Sequence, residues 1–276
     1  MRILLLQDEI YLPSLGGGIK ANRLLLEGLA NSGHECLALS RALTRSRDGP
    51  NNRQQFMECM SARGLNVVSG PHDVFTYEHM GVRVHALDHP TIADRLRHVM
   101  SQMQTFDPDW ILVADDKRRF MLEAAMRTTP DRVVPLVQTI IQLPFGPLSV
   151  DRSRQQLEYM RQSRAIIVIS DFLKRYIEVH SGLESRVLHL PVYGSAPFAD
   201  LGRFDSGFVT MVNPCELKGL RIFLTLAREH AEVEFAAVPT WGADQRVLQE
   251  LEALANVTLL EPADDIEEIL AQTRVL

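Results

Sequence analysis

The chain has 276 residues, about 1.8 domains at roughly 150 residues each, which excludes a peptide, a disulfide-stapled miniprotein and a disordered tail. Hydrophobic residues at 46% and charged residues at 23% are the balance of a globular protein with a large core. The net charge of −6 is uneven: 23 basic and 21 acidic residues run through Gly194, and 6 basic and 14 acidic follow from Ser195, so a boundary is expected there and neither part has the basic excess of a nucleic-acid binder.

Arg2–Leu6 is β-like and is followed by the loop Tyr11 to Gly18. Helical spacing of Ala21, Leu24, Leu25 and Leu29 predicts a helix over 19–31, with Gly33 as its stop and a second strand at Cys36–Leu39. This βαβ unit predicts a parallel sheet. The polar stretch 44–54 reads as a loop and 82–86 as a strand. Helices are predicted at 92–106, 119–128, 153–162 and 172–180, the last capped by Ser170 or Asp171. Strands are predicted at 110–114, 133–139, 165–169 and 187–190.

Residues Pro191 to Gly207 lack periodicity and read as a linker. Strand–helix alternation then restarts, with strands at 208–212, 234–238 and 256–260 and helices at 217–229, 243–254 and 266–272. The expected organisation is a domain over 1–194, a linker over 195–207 and a second domain over 208–276. Both domains are expected to be doubly wound α/β units with parallel sheets.

The cysteines Cys36, Cys59 and Cys215 are far apart and odd in number, which argues against a disulfide framework and fits a reducing compartment. The apolar run Ile3 to Leu6 is too short for a signal peptide, and no segment nears the ~20 apolar residues of a membrane span. A soluble, cytoplasmic protein is expected.

Open α/β sheets bind ligands beyond the carboxyl ends of their strands. Gly16, Gly17 and Gly18 occupy that place after the first strand, where backbone N–H groups at a helix start suit an anion; a glycine turn that only shapes the loop is the alternative. Ala21 stands at the third glycine of a dinucleotide fingerprint, the loop is long, and Ser40-Arg41 replaces the expected ribose-binding acid. Nicotinamide binding is therefore disfavoured. In the second domain Lys218, one of only four lysines, sits at a helix start, where a cation is poorly placed unless it neutralises a bound anion. An ordinary exposed lysine is the other reading.

The motifs Pro13 to Gly18, Leu25 and Leu29 with Gly33-His34-Glu35, Pro135 to Gly146, Ala165 to Lys174 and Val212 to Gly219 resemble, in order and spacing, the retaining GT-B glycosyltransferases of the group-1, or family 4, class. The resemblance covers essentially the whole chain and implies a GT-B-like fold of two Rossmann-like domains. It implies transfer of a sugar from a nucleotide-diphosphate-sugar donor to an acceptor hydroxyl, with retention, and no cofactor or metal. By this match Lys218 and Gly219 meet the donor diphosphate, with Asn213 where the family has arginine. Thr139 and Gln142 are candidate sugar or acceptor contacts, because Gln138 and Ile141 stand where the family often has histidine. Trp241-Gly242 continues the family pattern.

The family's E-x7-E segment is expected after the third strand–helix unit of the second domain, and the chain reaches Leu276 as the next strand should begin. The second domain is accordingly expected to be incomplete and the catalytic residues are unassigned. Glu27 and Glu35 match E-x7-E by spacing alone. The rival reading is a catalytically inactive remnant, or half of a split enzyme completed by another polypeptide or a second copy, acting as a sugar- or nucleotide-binding module. His72, His79, His85 and His89 lack a compact metal-binding spacing and read as a solvated region. Arg41, Arg45, Arg47 and Arg53 leave open an anionic acceptor or a peripheral contact with lipid headgroups, against a solvated loop.

Overall fold

The computed structural model describes residues 1–44, 49–89, 91–114, 119–190, 197–263 and 265–276. Arg45, Arg47 and the first residues of the expected linker, 195 and 196, lie outside them. The described chain forms two compact units, within residues 1–190 and 197–276.

The first unit runs β1 (Arg2–Ile10), α1 (Gly17–Asn31), β2 (Glu35–Arg41), α2 (Arg53–Ala62), β3 (Val68–Ser69), β4 (Val74–His79), β5 (Val82–Leu87), α3 (Ile92–Phe106), β6 (Trp110–Ala114), α4 (Phe120–Thr128), β7 (Val133–Val137), α5 (Arg154–Gln162), β8 (Ile167–Val168), α6 (Asp171–Ser181) and β9 (Arg186–Val187). Its nine strands lie in the order β3-β4-β5-β2-β1-β6-β7-β8-β9. From β5 to β9 every pairing is parallel, whereas β3, β4 and β5 pair antiparallel.

Alternation along β1 explains the double winding. Leu4 and Leu6 join a core with Leu37, Val99, Ile111 and Met121, while Ile3 and Leu5 join a second core with Leu26, Ala38, Phe56 and Val84. A strand covered on both faces loses the polar alternation of a surface strand. Helix starts follow the capping chemistry: Ser170 Oγ accepts from Leu173 N, and Thr91, Asn52 and Ser153 act likewise for α3, α2 and α5.

The antiparallel pair β4–β5 departs from the expected parallel pattern. Its link is Met80-Gly81, with φ of 49° and 76°, the double positive φ of a two-residue hairpin turn. Methionine at the first of these positions hides the Asn-Gly type of signal.

Of the histidines expected in a solvated region, His72 is exposed, whereas His79, His85 and His89 are half-buried. His85 Nδ1 and His98 Nε2 are 3.1 Å apart, and the His89 ring centroid is 5.9 Å from that of His98. Burial first, then His98 and Arg83, pushes His85 down to about 4; burial first, then His89 and His72, does the same to His98. Asp94 and Asp73 act in the opposite sense only on His89.

The second unit runs β10 (Phe208–Val212), α7 (Leu220–Glu229), β11 (Phe235–Val238), α8 (Gln245–Glu252), β12 (Val257–Leu259), α9 (Glu267–Leu270) and β13 (Thr273–Val275). Its sheet order is β12-β11-β10-β13, all parallel. Met211, Phe223, Phe235 and Leu251 build its core. The buried hydroxyls of Thr210 and Thr273, 2.8 Å apart, join β10 to β13. The helix expected from Leu217 starts later, because Gly219 at φ 87° breaks it from a single 3-10 turn over Glu216–Lys218.

A folded-state pKa near 4 for His85 and His98 lies below the ordinary histidine value of about 6.5. The unfolded chain therefore takes up protons first as pH falls, so stability is lost between about pH 6.5 and 4. We expect the Tm to drop by several degrees over that interval and His98→Gln to reduce the drop. An equal drop in the variant would assign the slope to other groups.

Candidate functional site

Each sheet reverses its winding direction at one point. In the first unit β1 leads to β2 on one side, and the chain later returns to β6 on the other. In the second, β10 leads to β11 on one side and is flanked by β13 on the other. Loops that leave the sheet beside such a reversal border a crevice suited to a ligand. The loop after β1 carries Gly16, Gly17 and Gly18, and the loop after β10 carries Asn213, Lys218 and Gly219.

Gly16 has φ 120° and ψ 155° and directly precedes α1, a conformation essentially reserved for glycine. No side chain caps α1, and its first turn has no acidic residue. Gly17 is exposed, and a Cβ there would have nothing within 4 Å. The loop's place is set by a chain of amides. Gln138 Nε2 donates to Gly18 O at 3.3 Å and to Asn22 Oδ1 at 2.6 Å; Asn22 Nδ2 donates to Gln7 Oε1 at 2.9 Å; Gln7 Nε2 donates to Ile10 O at 3.3 Å. Gln7 and Asn22 are buried, so each bond replaces water that neither side chain can reach.

Arg23 braces the same loop: its Nε donates to Ser14 Oγ at 2.8 Å, and its Nη1 lies 3.0 Å from Glu27 Oε1. His79 Nε2 is 3.4 Å from the same Glu27 oxygen. Burial raises the Glu27 pKa, against the pull of Arg23. Glu35 is exposed and pairs with Arg83 at 3.1 Å. The two glutamates thus serve separate ion pairs, and their spacing is coincidental.

Beyond β7, Thr139 and Gln142 line one cavity of about 70 Å³ with Arg119, Gln138 and Gln156. Sequence reasoning missed Arg119 and Gln156. Arg119 has φ 58° just before α4, and its Nη2 donates to the carbonyls of Gln142 and Asp151. Its Nη1 lies 3.4 Å from Asp151 Oδ2 without hydrogen-bond geometry. Nothing in the local pattern marks an arginine whose role comes from a loop more than twenty residues away.

On the second sheet Lys218 is exposed. The N–H groups of Lys218 and Leu220 donate to Cys215 O, and that of Gly219 to Glu216 O. These three backbone donors are therefore engaged within the turn. Glu216 pairs with Arg221 at 3.1 Å. Asn213 is buried at φ 61°, and its Oδ1 accepts from Gly242 N at 2.9 Å. Its carbonyl oxygen thus ties the loop after β10 to the loop after β11. A Cβ on Gly242 would sit 2.6 Å from Asn213 Oδ1 and 3.0 Å from Cys215 Cβ. Among the described residues, no group of three His, Cys, Asp or Glu side chains is arranged to hold a metal ion.

Two substitutions test these ties by thermal unfolding. Asn22→Leu strands the amides of Gln7 and Gln138 and is expected to cost about 1–3 kcal/mol. Gly242→Ala forces Asn213 and Cys215 aside, at a similar cost of about 1–3 kcal/mol. An unchanged Tm in either would show that the tie carries no stability.

No family model matches the chain, and no curated protein matches it in sequence. Solved structures do resemble it. Sucrose-phosphate synthase from Thermosynechococcus elongatus superposes with a TM-score of 0.63 at 15% identity, over 98% of this chain and 72% of that one. The catalytic domain of starch synthase IV from Arabidopsis thaliana, bound to ADP and acarbose, gives 0.61 at 13%, over 100% and 76%. UDP-GlcNAc 2-epimerase from Neisseria meningitidis, bound to UDP-GlcNAc, gives 0.57 at 12%, over 99% and 76%. No helix among the described residues is long and apolar enough to cross a membrane. The chain has an α/β fold with parallel-sheet, Rossmann-like domains, the fold of its GT-B glycosyltransferase neighbours.

Proposed function

We propose that this chain is a retaining nucleotide-sugar glycosyltransferase of the group-1 class. The observation that carries the reading is that its two candidate loops, Gly16–Gly18 and Asn213–Gly219, both leave their sheets beside the winding reversal, on a fold shared with starch synthase IV and sucrose-phosphate synthase. The starch synthase binds ADP, a nucleoside diphosphate, on that fold.

In this reading the donor diphosphate meets Lys218 beside Gly219, and the acceptor hydroxyl approaches Thr139 and Gln142. As the bond from the sugar to the diphosphate breaks, negative charge grows on the leaving oxygen, and the Lys218 ammonium stabilises it more than it stabilises the intact donor. Asn213, where the family has arginine, adds no charge, and its oxygen is spent on Gly242. The clamp therefore rests on one cation. The reaction calls on no metal.

Titration with UDP, ADP and GDP by calorimetry tests the reading. Binding of at least one is expected, with Lys218→Ala weakening it about tenfold or more, the scale of a charge-assisted hydrogen bond. Unchanged affinity in the variant would remove Lys218 from the site. Binding without hydrolysis or transfer of any common nucleotide sugar would favour the binding-module reading.

A further inference from the structure

We infer that Trp241 is the stacking surface for the nucleobase of the compound whose diphosphate meets Lys218; the inference rests on the reading above and adds the second half of the ligand. Trp241 is 54% exposed. A lone apolar residue at the surface is ordinary, so the case lies in how the turn that carries this indole is held. Ala243 N donates to Thr240 O at 3.0 Å, which places Trp241 and Gly242 at the two central positions of a tight turn. Immediately beyond, Asp244 Oδ1 accepts from Val247 N at 2.9 Å and caps α8. Gly242 N donates to Asn213 Oδ1, and a Cβ on Gly242 would meet that oxygen at 2.6 Å, with Cys215 Cβ at 3.0 Å. The backbone that carries the indole is thus pinned on both sides.

The same residue, Cys215, organises the lysine. Its carbonyl accepts from Lys218 N and Leu220 N, closing the turn that carries Lys218. One clamp therefore holds two loops at the carboxyl edge of adjacent strands, one bearing an ammonium and the other an indole. Glu216, two residues before Lys218, is taken up by Arg221. Leu217, 89% exposed, adds apolar surface beside the lysine. An ammonium and an exposed aromatic face on one edge complement a ligand that is anionic at one end and flat and aromatic at the other. A nucleoside diphosphate has that chemistry, and an indole stacks on any base with little preference among them.

The test compares wild type, Trp241→Ala, Trp241→Phe and Lys218→Ala, each first shown to retain its Tm. Affinities for UDP, ADP and inorganic pyrophosphate are measured by equilibrium dialysis, with tryptophan fluorescence read in parallel. In wild type, nucleotide is expected to quench the fluorescence with the affinity found by dialysis. Trp241→Ala is expected to weaken UDP and ADP about tenfold and to leave pyrophosphate unchanged. Trp241→Phe keeps a stacking ring, so its affinity stays near wild type while the quench is lost. Lys218→Ala weakens all three ligands. If nucleotides bind and neither Trp241 variant alters affinity or quench, this inference is overturned while the proposed function stands. If Trp241→Ala weakens pyrophosphate as much as UDP, the residue supports the loop and is not a stacking surface. If Trp241→Ala changes only self-association in sedimentation, the indole is a contact between copies. If no nucleotide binds wild type, both readings fall.

Discussion

β1 is hydrogen-bonded along both edges and covered on both faces, and the rest of the first unit is arranged by that fact. Its register with β2 runs from Arg2 opposite Glu35, and its register with β6 from Ile3 opposite Trp110. Because the chain winds away from β1 in both directions, the loop that follows it cannot be covered by a crossover on either side. The glycine loop occupies that place. The register against β2 shifts between Leu6 and Ile10, and within that stretch the buried Gln7 accepts a hydrogen bond from Asn22.

The amide relay from Gln138 through Asn22 to Gln7 follows from the same crowding. Polar side chains at the carboxyl end of a buried strand must find partners or lose the hydrogen bonds that water would supply. Here they find one another, and the result couples the loop after β1 to the loop after β7. Asn213 and Gly242 do the same for the loops after β10 and β11. In each unit a side-chain amide ties two loops together, and the candidate groups Gly17, Thr139 and Trp241 are next in sequence to tied residues, while Lys218 lies in the same loop as Asn213. Ties of this kind reduce the motion a ligand would have to freeze out.

A shared fold does not carry a shared reaction. The chain superposes about as well on an epimerase as on synthases, so the chemistry must be argued from side chains at the loops. Those loops offer one exposed lysine beside a left-handed glycine, an asparagine committed to the backbone, and an exposed indole on a tied turn.

Much of the architecture was legible from periodicity. The span of α3 and the strands β6 and β10 follow directly from their apolar spacing, because burial on a defined face leaves a trace in the order of residues. The hairpin β4–β5 left no such trace, since its turn uses Met80-Gly81. The start of α7 was misplaced because a helical pattern runs through Gly219, and only backbone geometry shows the break there. Lys218, Gly219 and the glycine loop could be chosen by sequence because position after a strand and residue type coincide. By contrast, Arg119, Gln156, the pairing of His85 with His98 and the spending of Asn213 on Gly242 depend on partners 13 to 37 residues away. The sequence alone determined where strands alternate with helices and which loops end up at the carboxyl edge. Tertiary structure decided which polar side chains in those loops are already spent on one another, because a hydrogen-bond partner distant in the chain is chosen by packing and leaves no local pattern.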